Sequence, residues 1–277
     1  MNPTPSSMAV ETKTIKIDQL TKIYQAKEGE VLALDHVSFD VFDQEFFCMV
    51  GPSGCGKTTL LKILAGLLPK SSGKVFLRDK IVEGPQENIG MVFQSPILLK
   101  WRTALQNVLL PAEVQKLDMA TCTRNAYSLF ELIGLKGFEN KYPRELSGGM
   151  QQRVAIGRAL IYNPALLLMD EPFGALDAIT REEMSHELLR IWDKTRKTII
   201  FITHNITEAV FLGDRVAVLT PRPGRIARIV DIDLPRPRTP ELKLTPRFSE
   251  LSKEIYDLIS SMRREKPSSN QAFTGEP

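Results

Sequence analysis

Eight consecutive residues, Gly51, Pro52, Ser53, Gly54, Cys55, Gly56, Lys57 and Thr58, match the pattern G-x-x-x-x-G-K-[ST] at every fixed position. These residue types at this spacing can wrap a polyphosphate. The glycines allow positive φ and let bare backbone N–H groups approach an anion closely, where a Cβ would intrude. Lys57 would bridge the β- and γ-phosphates of a nucleoside triphosphate, and the Thr58 hydroxyl would hold Mg²⁺. The flanks agree. Residues 45–50 form an apolar run of strand length, and residues 59–67 carry Leu60, Leu61, Ile63, Leu64 and Leu67 as a buried helix would. Strand, glycine loop and helix in that order aim a helix N-terminus at the phosphates.

A second group of residues fits the same chemistry. Residues 166–169 are apolar and lead into Asp170 and Glu171. An acid at the end of a buried strand supports the Mg²⁺ in a phosphate-loop protein, which is the role expected of Asp170. Glu171 points elsewhere and is placed to accept a proton from an attacking water. His204 follows the apolar run 198–202, and ligands bind at the C-terminal ends of strands in open α/β sheets. His204 is therefore expected on the edge that carries Asp170 and the glycine loop, within reach of a γ-phosphate oxygen. Ser147, Gly148 and Gly149 open a further helix, with Ser147 as its N-cap, so a second exposed set of N–H groups is expected there. One chain needs only one such loop for its own triphosphate, so the second suits a nucleotide bound to another copy.

These residues need a scaffold. Alternating patterns predict strands at 15–20 and 37–41 with a turn at 27–30 between them, and further strands at 73–77 and 89–93. From about 96 to 162 the periodicity is helical, and apolar strands return at 165–169, 198–202 and 215–219 with helices between them. Continuous apolar strands alternating with helices imply a parallel sheet covered on both faces, so the fold class is α/β with a helical insertion. Residues 246–264 repeat apolar residues at helical spacing, which reads as a packing helix, and 1–12 and 265–277 have the composition of disordered tails.

The chain has 277 residues, 43% of them hydrophobic and 25% charged, an ordinary globular composition. Its net charge of +3 gives no argument for nucleic acid as a partner. Its three cysteines form no C-x-x-C pair and read as reduced thiols. No apolar run has the length needed to span a bilayer, so any membrane role is expected to come through a partner. Cys55 stands at a helix N-terminus, where a thiol's pKa falls. A redox switch is one reading of it, and a small filler is the favoured one.

Taken together, these motifs resemble the ATPase subunits of ATP-binding-cassette (ABC) transporters over residues 13–240. Gly51 to Thr59 corresponds to the Walker A motif, Gln94 to the Q-loop, Leu146 to Gln151 to the signature motif, and Leu166 to Asp170 to Walker B. Glu171 corresponds to the catalytic glutamate, Ala175, Leu176 and Asp177 to the D-loop, and His204 to the switch histidine. Tyr24 stands where the family places an aromatic ring against adenine. The resemblance implies a phosphate-loop NTPase core at 13–245 with an N-terminal antiparallel β subdomain and a helical subdomain inserted at about 96–162. It implies ATP and Mg²⁺ as cofactors, with Thr58, Gln94 and Asp170 at the metal. Two cassettes would close head to tail, a homodimer being the favoured pairing and two different cassettes the other, with ATP between the phosphate loop of one and Ser147 to Gly149 of the other. The subunit would lie on the cytoplasmic face of the inner membrane against a transmembrane permease, served indirectly by an extracytoplasmic solute-binding protein. Gly84 and Pro85, residues 98–101, 220–226 and 234–238 resemble the nitrate/sulfonate/taurine importer branch, although Lys100 stands where that branch carries proline. An exporter cassette, or a soluble cassette acting on DNA or ribosomes, is the alternative. The compact insertion and single motif set disfavour the soluble forms.

Overall fold

The computed structural model describes residues 12–26 and 29–264. The expected tails lie outside the described residues, Thr12 excepted, as do Lys27 and Glu28 of the expected turn.

Two sheets divide the strands, numbered here in chain order. β1 (Lys13–Ala26) and β2 (Gly29–Phe42) pair antiparallel over almost their whole length. β4 (Ser72–Leu77) pairs with the other side of β1 and carries the two-residue β5 (Lys80–Ile81), giving the order β2-β1-β4-β5. Both long strands outrun the segments expected from periodicity. Register shifts between Ile17 and Lys22 switch the face of successive side chains, and Gln19 and His36 take positive φ, so a continuous strand does not show continuous alternation.

The second sheet has the order β10-β9-β3-β8-β7-β6. Its parallel strands are β3 (Phe46–Val50), β6 (Ile89–Val92), β7 (Leu166–Asp170), β8 (Thr198–Ile202) and β9 (Arg215–Leu219). β10 (Ile226–Asp231) closes one edge antiparallel to β9. Sequence patterning does not reveal β10, because Ala227 and Arg228 are exposed and the strand shows no apolar run.

β3 explains the layering. Phe46, Cys48 and Val50 join one hydrophobic core, while Phe47 and Met49 join the other, and all five are fully buried. On the second of these faces lie the antiparallel sheet and α1 (Lys57–Leu64), which contributes Leu60, Leu61, Ile63 and Leu64. On the first lie the helices between β6 and β7, namely α2 (Ala104–Val114), α3 (Met119–Leu132) and α4 (Gly148–Leu160), together with α5 (Ala178–Thr195) and α6 (Ile206–Leu212). Their starts follow local chemistry. Thr103 and Gln106 form a reciprocal capping box on α2, and the Asp118 carboxylate accepts the Ala120 and Thr121 N–H groups at the head of α3.

The basic segment after β10 is structural. Arg238 donates to the carbonyls of Val210, Phe211 and Gly213 at the C-terminal end of α6, where a cation is favoured. Arg236 pairs with Asp214 and lies 4.1 Å from the Trp192 ring centroid. The chain then enters α7 (Pro246–Arg264), which buries Phe248, Leu251 and Ile255 in the helical-side core. Among the described residues no helix is long and apolar enough to cross a membrane.

Phe201 lies at the centre of this core, its ring centroid 5.9 Å from Phe46 and 5.6 Å from Phe173. Phe201→Ala is expected to cost about 3–5 kcal/mol, read as a lower urea midpoint at unchanged slope. A loss below about 1 kcal/mol would show that this core repacks freely.

Candidate active site

The parallel register brings the candidate residues to one edge. Val50 faces Val218, Met49 faces Ile202, and Ile202 faces Asp170, so the segments that leave β3, β9, β8 and β7 emerge side by side. The first of them is the glycine loop. Gly54 and Gly56 take φ of 74° and 102°, and a Cβ on Gly56 would stand 2.7 Å from the Leu34 side chain, so this position excludes other residues. Lys57 opens α1 and folds back over its own loop, its Nζ donating to the Gly51 carbonyl at 2.9 Å and the Pro52 carbonyl at 3.3 Å.

Thr58 and Asp170 meet directly. The Thr58 hydroxyl donates to Asp170 Oδ1 at 3.0 Å. Burial raises the Asp170 carboxyl above the ordinary carboxylate range, with the Thr58 hydrogen bond acting in the opposite direction. Glu171 follows with φ of 46°, a left-handed conformation unusual for a glutamate. Its N–H donates to the Ile202 carbonyl at 3.0 Å, and its Oε2 lies 2.9 Å from Nδ1 of His204. His204 is held between β8 and α6 by its neighbours. Thr203 Oγ1 accepts the Asn205 N–H at 3.0 Å, and Asn205 caps α6 by accepting the Glu208 N–H at 3.2 Å. Thr203 also donates to the buried carboxyl of Glu208, which burial pushes upward.

A cleft of about 440 Å³ is lined among others by Tyr24, Ser53, Lys57, Thr58, Glu171 and Arg222, while Asp170 and His204 stand behind it in contact with Thr58 and Glu171. Tyr24 stands at its margin with its hydroxyl 3.2 Å from that of Thr59. Other candidates lie off the cleft. Gln94 packs against the loop after Glu171, its Nε2 being 3.0 Å from the point where a Cβ on Gly174 would stand. Asp177 caps α5, accepting the Ile179 and Thr180 N–H groups at 3.1 and 3.0 Å, and these hydrogen bonds hold its carboxyl below the usual range. Ser147 caps α4 by accepting the Met150 N–H at 3.3 Å. Gly149 is required by closeness, since its Cβ would stand 2.9 Å from Thr180 Cγ2. Arg222, with Val31 and Ala33, lines the cleft without having been expected there. In the sequence the run 220–226 carries only its resemblance to the importer branch, and the available signal was its position directly after a strand of the same parallel sheet.

Cys55 does not behave as a helix N-terminus alone would dictate. Its thiol is buried within the loop, and desolvation raises its pKa despite Lys57 Nζ at 3.9 Å. The favoured reading, a small filler, fits this environment.

A strand–glycine loop–helix beside a strand-end acid pair defines a phosphate-loop NTPase. Residues 34–174 match the ABC transporter family model. An uncharacterised ABC transporter ATP-binding protein of Methanocaldococcus jannaschii is 49% identical over 245 residues, covering 88% of this chain and 91% of the relative. A taurine import ATP-binding protein of Rhizobium johnstonii is 45% identical, covering 89% and 97%. A nitrate import ATP-binding protein of Synechocystis is 42% identical, covering 91% and 97%. A solved dimeric bacterial ABC transporter cassette superposes with a TM-score of 0.70 at 33% identity, covering 79% of this chain and 99% of that one. Its post-hydrolysis form bound to ADP and Pi gives 0.69 at 32% identity. The chain belongs to the ABC transporter family, as an ATP-binding cassette.

Burial makes a prediction for Cys55. Iodoacetamide at pH 8 is expected to modify it at least about 10-fold more slowly in the native chain than in urea, by peptide mass spectrometry. Equal rates would show that the loop opens freely.

Proposed function

We propose that the chain binds Mg²⁺-ATP and hydrolyses it to drive a solute importer. The observation that carries this reading is the Glu171–His204 contact at 2.9 Å on the sheet edge that also holds Lys57 and the Thr58–Asp170 pair. On this reading a base and its orienting partner share one sheet edge with a phosphate cradle and a pair of hard oxygen donors, and Lys57, Thr58 and Glu171 line the cleft itself. In-line attack of water on the γ-phosphate needs these parts.

Tyr24 stacks on the adenine, and the loop residues Gly51 to Gly56 with Thr59 surround the phosphates through their N–H groups and hydroxyls. Lys57 swings from its own loop carbonyls to the β- and γ-phosphates, where it neutralises developing charge. Glu171 orients the water and takes its proton, and His204 holds that carboxylate in place and reaches the γ-phosphate. The Thr58 hydroxyl and the Asp170 carboxylate are oxygen donors of the kind Mg²⁺ prefers, so the pair fits the ion, with Gln94 as the third residue toward it. When bound, Mg²⁺ neutralises phosphate charge and fixes the geometry of the transferred group.

Ser147, Gly148 and Gly149 are not among the residues lining the cleft of their own chain. That supports head-to-tail pairing, in which they close over the nucleotide of a second copy while Asp177 faces the partner. The solved cassettes of similar fold are dimeric. The permease contact is proposed at residues 96–101. Arg158 fixes that segment by donating to the Pro96 and Ile97 carbonyls at 2.7 and 2.8 Å, and Trp101 is left 73% exposed. A groove of about 450 Å³ beside it is lined by Ile97, Leu99, Leu110 and Pro111. The relatives named for taurine and nitrate import support a position on the cytoplasmic membrane face, with a solute-binding protein delivering to the permease.

Glu171→Gln is expected to bind ATP with wild-type affinity and to lose about 100-fold or more in turnover. Near-normal turnover would remove Glu171 from its role. Tagged Glu171→Gln protein, purified from membranes with Mg²⁺-ATP, is expected to bring down a polytopic permease. Ribosomal or chromosomal partners in its place would overturn the importer reading.

A further inference from the structure

β9 is the direct parallel neighbour of β3, so the chain that leaves β9 at residue 220 runs alongside the glycine loop that leaves β3. It is braced there at several points. Thr220 Oγ1 accepts the Arg225 N–H and donates to the Pro223 carbonyl, both at 2.9 Å. The Gly224 N–H donates to the Ala33 carbonyl at 2.9 Å, and the Gly224 carbonyl accepts the Asp35 N–H at 3.0 Å. Gly224 presses so closely on the glycine loop that a Cβ would stand 2.0 Å from the Cys55 carbonyl. Pro221 and Pro223 restrict the backbone on either side of Arg222. Arg222 is thus presented from a short strap tied to both the antiparallel sheet and the phosphate loop.

The two arginines of the strap are used differently. Arg225 is paired with the Asp35 carboxylate, its Nε donating at 2.7 Å. Arg222 is exposed and forms no ion pair among the described residues. Its guanidinium lies over the glycine loop, 3.8 Å from the point where a Cβ on Gly54 would stand. It shares the cleft with Ser53, Lys57 and Thr58. A planar fork of donors with no carboxylate partner, carried by a braced backbone beside the glycine loop, matches the geometry of phosphate oxygens.

We propose that Arg222 is a second cationic clamp on the nucleotide, donating across Gly54 to the terminal phosphates that Lys57 holds from within the loop. This rests on the reading of the cleft as the ATP site. The clamp belongs to the strap and not to the phosphate-loop pattern, so it adds affinity for the polyphosphate without entering the proton transfer.

The test is equilibrium titration of wild type, Arg222→Ala, Arg222→Lys and Arg225→Ala with fluorescent ATP and ADP analogues, together with the nucleotide-free Tm of each. Arg222→Ala is expected to raise the Kd for ATP by about 5- to 10-fold, with Arg222→Lys recovering part of the loss and Tm unchanged. Arg225→Ala is expected to lower Tm, since it releases the strap from Asp35. Wild-type binding with unaltered Arg222→Ala affinity overturns the clamp. Unaltered affinity overturns it even if ATP-driven dimerisation is lost, which would assign the side chain to the facing cassette. An Arg222→Ala loss matched by a fall in nucleotide-free Tm also overturns it. A wild type that binds neither analogue overturns the underlying reading of the cleft, and the clamp with it.

Discussion

The structure depends on one constraint, the burial of β3 on both faces. Phe46, Cys48 and Val50 need the helical core, Phe47 and Met49 need the other core, and neither set is satisfied by a hairpin with one wet face. A strand flanked by others, with layers above and below, meets both demands, and here its neighbours β8 and β9 run parallel to it. Parallel pairing then has a geometric consequence. The C-terminal ends of β3, β7, β8 and β9 fall on one edge, and everything that follows each strand is delivered there. The glycine loop, Asp170 with Glu171, His204, and the strap that carries Arg222 are neighbours for that reason, though they span more than 150 positions in the chain.

The edge is also where local backbone preference is overridden. Glu171 takes a positive φ that a glutamate does not favour, and its N–H is tied to the Ile202 carbonyl. Beyond it, the chain to Asp177 is held from α5, where Arg181 donates to the Phe173 and Leu176 carbonyls at 3.2 and 3.0 Å. Gln94 leans on the same short loop at Gly174. One segment of seven residues, 171–177, thereby touches the cleft at one end, forms the helix N-cap at the other and meets Gln94 in the middle.

Much of the candidate site was legible because it is written in short local patterns. The glycine loop, the apolar strand ending in two acids and the serine-glycine helix start each obey a rule that operates within a few residues. Other features were not. Where Gln94 lies depends on Gly174, eighty positions away, and no window of sequence contains both. The full length of β1 and β2 was hidden by register shifts that break alternation without breaking pairing. β10 was hidden by being an exposed edge, where the apolar signal is weak. Cys55 carried a local argument for acidity that burial reverses, since desolvation outweighs the helix terminus and the nearby Lys57.

The sequence by itself determined which residues are the candidates for a polyphosphate, which strands must be buried on both sides, and the serine-glycine start of α4, because those properties follow from side-chain type and short-range spacing. Only the tertiary structure decided that Glu171 meets His204, that Thr58 meets Asp170, and that of Arg222 and Arg225, three residues apart in one basic loop, the second is paired with Asp35 and the first faces the cleft. Those outcomes are set by strand order and register, and strand order is a long-range choice made by packing both faces of β3 at once.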